Sequence, residues 1–140
     1  MAKLTSIEDY EIFLYSLPNN YREIEYSTLV VKRYNRSIAE VSGTIFFKNN
    51  IKLSIKELID FRKGVIKTYS YEVHVGGNKQ FWYDSQPHPN DASLQSTHPH
   101  HKHIHPDIKH NRIPSKNMNF TRENLSFLIE EIIINFFKPT

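Results

Sequence analysis

The sequence has no cysteine, which excludes disulfides, thiolate-bound zinc and thiol nucleophiles. Its apolar runs are short: Ile132-Ile133-Ile134 is broken by Asn135 before Phe136-Phe137, far below the length of a membrane span. The opening residues, Met1-Ala2-Lys3-Leu4-Thr5-Ser6, lack an apolar leader core and read as no signal peptide. A reducing, cytoplasmic setting without a membrane partner fits these absences. An acidic excess is also missing: 18 Lys and Arg face 15 Asp and Glu, for a net charge of +3 with histidine neutral. The balance permits a polyanionic partner without demanding one. The chain is instead rich in histidine, with 8 residues whose charge is conditional near neutral pH. Its 140 residues suit one domain, 1–140, large enough to bury a core.

Hydrophobic spacing predicts a helix first. Thr5 with Glu8, or Ser6 with Asp9, has the spacing of a capping box, and Ile7, Tyr10, Phe13, Leu14 and Leu17 follow on one face. Pro18 and Asn19-Asn20 are expected to end it. Strands are expected over Thr28 to Tyr34, Val41 to Lys48 and Ile51 to Ile55, with Asn49-Asn50 as a two-residue hairpin turn. Glu57 to Phe61 is ambiguous between a helical turn and a continued strand. Val65 to Val75 alternates most regularly. Val65, Lys67, Tyr69, Tyr71, Val73 and Val75 share one face, with Ile66, Thr68, Ser70, Glu72 and His74 on the other. Gly76-Gly77-Asn78 reads as a hairpin connection into a strand over Lys79 to Asp84.

From Ser85 to Asn119 the pattern dissolves. Pro87, Pro89, Pro99, Pro106 and Pro114 fall here, together with every histidine except His74. Thr121 is then read as the N-cap of a last helix, with Phe120 and Leu125 as a hydrophobic staple and Leu125, Leu128, Ile129, Ile132, Ile133 and Phe136 as its stripe. Phe127, Ile134 and Phe137 widen that stripe, so part of the helix is expected to meet a partner chain, which includes a second copy of this one. The expected architecture is α+β. An antiparallel β-meander of about five strands is flanked by an N-terminal and a C-terminal helix, with a long His/Pro-rich loop before the last helix.

The dense segment His98-Pro99-His100-His101-Lys102-His103-Ile104-His105-Pro106-Asp107-Ile108-Lys109-His110 is too polar for core filling. Three readings stand beside one another. In an extended strand His101, His103 and His105 would share a face and offer three imidazoles to zinc or nickel. Alternatively, imidazoles would shuttle protons on a phosphodiester, with no cofactor, while Lys102, Lys109, Arg112 or Lys116 stabilises the anion. The plain alternative is a solvated loop that binds metals adventitiously.

Upstream, Trp82 and Tyr83 precede Asp84 and the loop residue His88. Tyr83 would stack on a base or bind phosphate, and Asp84 would orient an imidazole; ordinary strand packing and a turn-closing Asp account for the same residues. His74 and Glu72 lie on the polar face of the long strand, where a solvent-facing histidine is the plainer reading. Arg62 and Lys67 belong to a set of cations that would form an RNA face or simply a solvated sheet surface.

Three pieces in order carry a family resemblance: Tyr69-Ser70-Tyr71-Glu72-Val73-His74, then Tyr83-Asp84 with Pro87-His88, then Pro99-His100-His101-Lys102-His103 ahead of an amphipathic helix. From Val41 to Phe137 the chain resembles the TumE family of toxin–antitoxin proteins. Its pattern runs Tyr-x-Tyr-x-x-His, Arg-Tyr-Asp-Asn-x-Pro-His and Pro-His-His-Lys-His. Trp82 stands where the family commonly has Arg, and Ser85 where it has Asn. The resemblance implies the toxin of a type II system, with a helix-turn-helix antitoxin as partner and RNA as substrate. In the metal-independent ribonuclease it suggests, His101 or His103 removes the 2′-hydroxyl proton and His88 or His74 protonates the leaving oxygen. Lys102 stabilises the phosphorane, Tyr83 stacks on a base and Asp84 fixes a tautomer. Trp82, Arg62, Lys67, Lys109 and Arg112 would contact RNA. A non-enzymatic module binding metal or nucleic acid, or a metal-dependent nuclease using His101, His103 and His105, are the alternatives.

Overall fold

The computed structural model describes residues 4–85, 101–104, 112–114 and 118–137, with the backbone alone for His101, His103 and 112–114. Helix α1 (Ile7–Asn20) starts at Ser6, whose hydroxyl accepts from the Asp9 amide at 3.1 Å, while the Thr5 hydroxyl donates to the Asp9 carboxylate. Of the two capping alternatives the chain uses Ser6. Pro18 does not end the helix but sits inside its last turn, and the Tyr21 amide closes that turn on the Leu17 carbonyl.

Four long strands build the sheet as expected: β3 (Ile38–Phe47), β4 (Ile51–Asp60), β5 (Val65–Val75) and β6 (Asn78–Asp84) pair antiparallel in sequence order. Glu57 to Asp60 thus continues a strand. Phe47 pairs with Ile51, so the first hairpin turns through three residues, Lys48–Asn50, rather than two. Asn49 and Asn50 both take the left-handed conformation that asparagine tolerates. Gly76 and Gly77, both at positive φ, link Val75 to its partner Asn78 in a two-residue turn.

At one edge, β1 (Ile24–Ser27), which the sequence did not reveal, and β2 (Val30–Arg33) share β3 as partner along successive stretches. At the other edge, β7 (His101–Ile104) and β8 (Arg112–Pro114) extend the sheet where the sequence suggested only loop. The sheet order is β1 and β2, then β3, β4, β5, β6, β7, β8.

The alternation of β5 needs one correction. Leu58 pairs with Thr68 but Ile59 pairs with Ile66, so Lys67 is an extra residue in a bulge. The bulge turns Ile66 into the core and leaves Lys67 exposed, while Tyr69, Tyr71 and Val73 are buried as expected.

Both helices cover the same sheet face. From α1, Tyr10 reaches Glu57 of β4; from α2 (Leu125–Phe136), Glu131 reaches Tyr83 of β6, and Phe137 just beyond packs near Phe47. Leu125, Leu128, Ile129 and Ile132 are buried with Val41, Ile45, Leu53 and Val73 in one core, and burying each such side chain contributes about 1.5–3 kcal/mol. Helix α2 begins later than Thr121: Glu123 accepts from the Ser126 amide and hydroxyl at 2.8 and 2.6 Å, taking the capping role. The opposite sheet face has no helix over it among the described residues. No helix among them is long and apolar enough to cross a membrane.

Candidate functional site

The open face gathers the polar residues of β5 and β6, because period-two alternation turns one set of side chains away from the helices. Antiparallel register extends that set sideways. Ser70 pairs with Asp84, Asp84 with His101 and His101 with Pro114. One row along, Glu72 pairs with Trp82, Trp82 with His103 and His103 with Arg112. The two motifs that stand far apart in sequence, Trp82-Tyr83-Asp84 and His101-Lys102-His103, are therefore adjacent backbone neighbours.

The described side chains of this face form a connected set. The Trp82 indole N–H donates to Asp84 Oδ2 at 3.1 Å; the side chains of His88, His101 and His103, the imidazoles Asp84 is expected to orient, lie outside the described residues. Lys79 Nζ lies 4.2 Å from the Trp82 ring centre and 3.1 Å from Glu72 Oε1. The other Glu72 oxygen lies 3.4 Å from His74 Nε2. His74 is half-buried rather than freely solvated. The Lys79 ammonium is thus held in place from two sides, by the face of the Trp82 ring and by the Glu72 carboxylate that offsets its charge.

Lys102 occupies the other face. It pairs with Tyr83, and its ammonium lies 3.3 Å from Glu131 Oε2 and 4.2 Å from the Phe81 ring centre. Tyr83, read as a base-stacking residue, is only 2% exposed, and its hydroxyl donates to both Glu131 oxygens at 2.9 Å. Burial and the Glu131 charge raise the Tyr83 pKa, so the phenol stays protonated. Lys102 and Tyr83 thus tie the sheet edge to α2, and Trp82 is the aromatic left facing outward.

Beneath β4 and β5 lies a further polar cluster that sequence spacing did not reveal. Glu57, 1% exposed, accepts from Tyr10 at 2.6 Å and from Tyr71 at 2.5 Å. Asn124 donates to the Tyr71 hydroxyl, while its carbonyl oxygen accepts from the Asn119 amide. Burial pushes the Glu57 carboxyl up to about 7, against the lowering effect of the two phenol hydrogen bonds. The cluster joins α1, the sheet and the start of α2 away from the open face.

Other expected residues fall elsewhere. Arg62 is exposed in the β4–β5 turn and Lys67 at the bulge. His88, His105 and Lys109 lie outside the described residues, as do the side chains of His101, His103 and Arg112. The proposed three-histidine metal set falls there too. Among the described residues no three His, Asp or Glu side chains gather as a metal group would require. Lys79 and Glu131 were missed because each belongs to its site only through pairing across the sheet or the layers; the one signal in sequence is Glu131 on the polar flank of the helical stripe.

A two-layer α+β chain, with helices on one sheet face and a histidine-bearing strand second from the sheet edge, frames the comparison with known proteins. The family model described as Toxin TumE matches residues 14–135, most of the chain, and the protein belongs to this toxin family. Membership implies an antitoxin partner. No curated protein and no solved structure matches the chain.

Proposed function

We propose that this protein is the toxin of a type II toxin–antitoxin pair and cleaves RNA by metal-independent acid–base chemistry. The pairing of His101-Lys102-His103 against Trp82-Tyr83-Asp84 carries the reading, because it sets two histidines beside an outward aromatic and a carboxylate. His101 or His103 removes the proton of a ribose 2′-hydroxyl. The freed oxygen attacks the adjacent phosphorus, and the 5′-oxygen leaves with a proton from a second histidine, giving a 2′,3′-cyclic phosphate and a 5′-hydroxyl. His74, oriented by Glu72, lies two strands and two residues from His103, about 12 Å between backbone positions, within the joint reach of two side chains around one phosphate. His88 is the alternative acid. Trp82 stacks on a base. Arg112 and Lys79 replace Lys102 as the cations assigned to phosphate, since Lys102 lies on the helix-covered face of the sheet against Glu131.

The antitoxin in this reading is a helix-turn-helix protein acting with the toxin in the cytoplasm, and the exposed Ile134 of α2 belongs to its contact or to a contact with a second copy. The test is incubation of the pure protein with a defined single-stranded RNA, with and without EDTA, beside a His101→Ala/His103→Ala variant. Cleavage that survives EDTA and disappears in the variant is expected. Cleavage abolished by EDTA and restored by zinc or nickel would transfer the role to a metal held by His101, His103 and His105. No cleavage in any lane would overturn the free-standing ribonuclease and leave a binding module.

A further inference from the structure

On the open face one row of side-chain positions crosses adjacent strands without interruption. Lys79 of β6 pairs with His74 of β5, His74 with Lys52 of β4, Lys52 with Phe46 of β3, and Phe46 with Tyr26 of β1. Four strand spacings make this row about 19 Å long. Its near end is the candidate active site, where Lys79 lies over Trp82. Its far end is a stack: the rings of Phe46 and Tyr26 lie 4.5 Å apart, nearly parallel at 14°, and Lys52 Nζ lies 5.6 Å from the centre of the Phe46 ring. Tyr26 is 53% exposed. Lys52 is exposed and pairs with no carboxylate among the described residues.

Ordinary cross-strand packing would bring two aromatic residues together, but it gives no reason for an exposed tyrosine to end a stack that begins with a lysine. We infer that this row is a binding track for single-stranded RNA flanking the cleaved bond, with Tyr26 stacking on a base and Lys52 facing a phosphate. The inference rests on the ribonuclease reading above and assigns that enzyme a second base site remote from its chemistry. The row carries cations toward the candidate site and two stacked rings at its far end, the two kinds of group that meet phosphates and bases, and a sheet face is a sequence-tolerant platform for such a strand. The charge fits as well. Of the acids near the row, Glu72 is held between Lys79 and His74, which leaves the positive charge of Lys52 to the ligand.

The experiment compares a trinucleotide with a dodecamer. Both are made as 2′-O-methyl RNA, which lacks the attacking hydroxyl, and binding is followed by fluorescence anisotropy; cleavage of the unmodified oligomers is assayed in parallel. The variant is Tyr26→Ala/Lys52→Gln, at two exposed positions outside the proposed chemistry. It is expected to bind the dodecamer about tenfold more weakly and with a salt slope lower by about one, while its handling of the trinucleotide stays unchanged. Tyr26→Phe, which keeps the ring, is expected to bind the dodecamer as wild type does. Unchanged dodecamer affinity, or an equal loss for both lengths, would overturn the track. If wild type cleaves RNA while the variant matches it at both lengths, the track alone falls. If wild type neither binds nor cleaves, the ribonuclease reading falls and takes the track with it.

Discussion

Lys102 of β7 and Glu131 of α2 form an ion pair across the sheet–helix boundary, with Nζ 3.3 Å from Oε2 and side chains only 19% and 16% exposed. The Tyr83 hydroxyl donates to the same carboxylate, so one acid on the helix fastens both β6 and β7. Replacing Glu131 by Ala leaves a largely buried ammonium and a phenol without their acceptor, and is expected to cost about 1–3 kcal/mol. Urea denaturation of Glu131→Ala, Lys102→Met and the double variant measures it. The double variant is expected to lose less than the two single losses combined. RNA cleavage by Lys102→Met is expected to remain within a few fold of wild type; a loss of several hundredfold would return Lys102 to the chemistry.

The buried Glu57 makes stability depend on pH. Its carboxyl is raised from 4.5 to about 7, so the folded state holds a proton that the unfolded chain has already released in that interval. The associated stability is fully present below about 4.5 and is lost as pH rises through about 7, a change on the order of 3 kcal/mol. Wild type is therefore expected to melt at progressively lower temperature as pH rises across this window. Glu57→Gln is expected to flatten the dependence. A profile with the same slope in both proteins would place the titrating group elsewhere.

Gly43 tests the divided edge strand. Its φ is 139°, and an added Cβ would stand 2.6 Å from the Thr28 carbonyl oxygen, where the chain passes from β1 to β2. Backbone cannot give way there as a flexible side chain would. Gly43→Ala is expected to cost about 1–3 kcal/mol. Gly77, at φ 85° but with nothing within 4 Å of an added Cβ, provides the control. Gly77→Ala should lose only the cost of conformation, about 1 kcal/mol. Thermal melts that rank the two the other way would refute the close approach.

The start of α2 separates two caps. Glu123→Ala removes the acceptor of the Ser126 amide and is expected to cost about 1 kcal/mol. Thr121→Ala changes an exposed residue ahead of the helix and should stay within about 0.5 kcal/mol. Denaturant midpoints of the two variants decide which residue caps the helix.

These contrasts mark how far the sequence could be read. The β3–β4 hairpin was legible because Val41, Ile45, Phe47, Ile51, Leu53 and Ile55 keep strict alternation around two asparagines that tolerate positive φ. The β5 face could be read only from Tyr69 onward. Lys67 sits in a bulge, and an inserted residue reverses the facing of everything before it. Strands β7 and β8 were hidden because their histidines, lysine and proline carry no strand signature; β7 is ordered by the exposed edge of β6. The motifs of the candidate site were visible, and so was the face of His74. The fastening of Lys102 was not, since it depends on Glu131, distant in sequence and delivered by a helix packed on the other layer.

Asp84 and His101 are register partners on β6 and β7, so the two backbone positions are held one strand spacing apart. A segment with both ends anchored this closely is thermodynamically insulated from its own length: doubling a flexible closure costs only about 0.6 kcal/mol. Changes of chain length between the two positions are thus expected to leave the pairing of β6 with β7 in place. The same anchoring makes that interval a natural place to graft a foreign peptide or reporter tag.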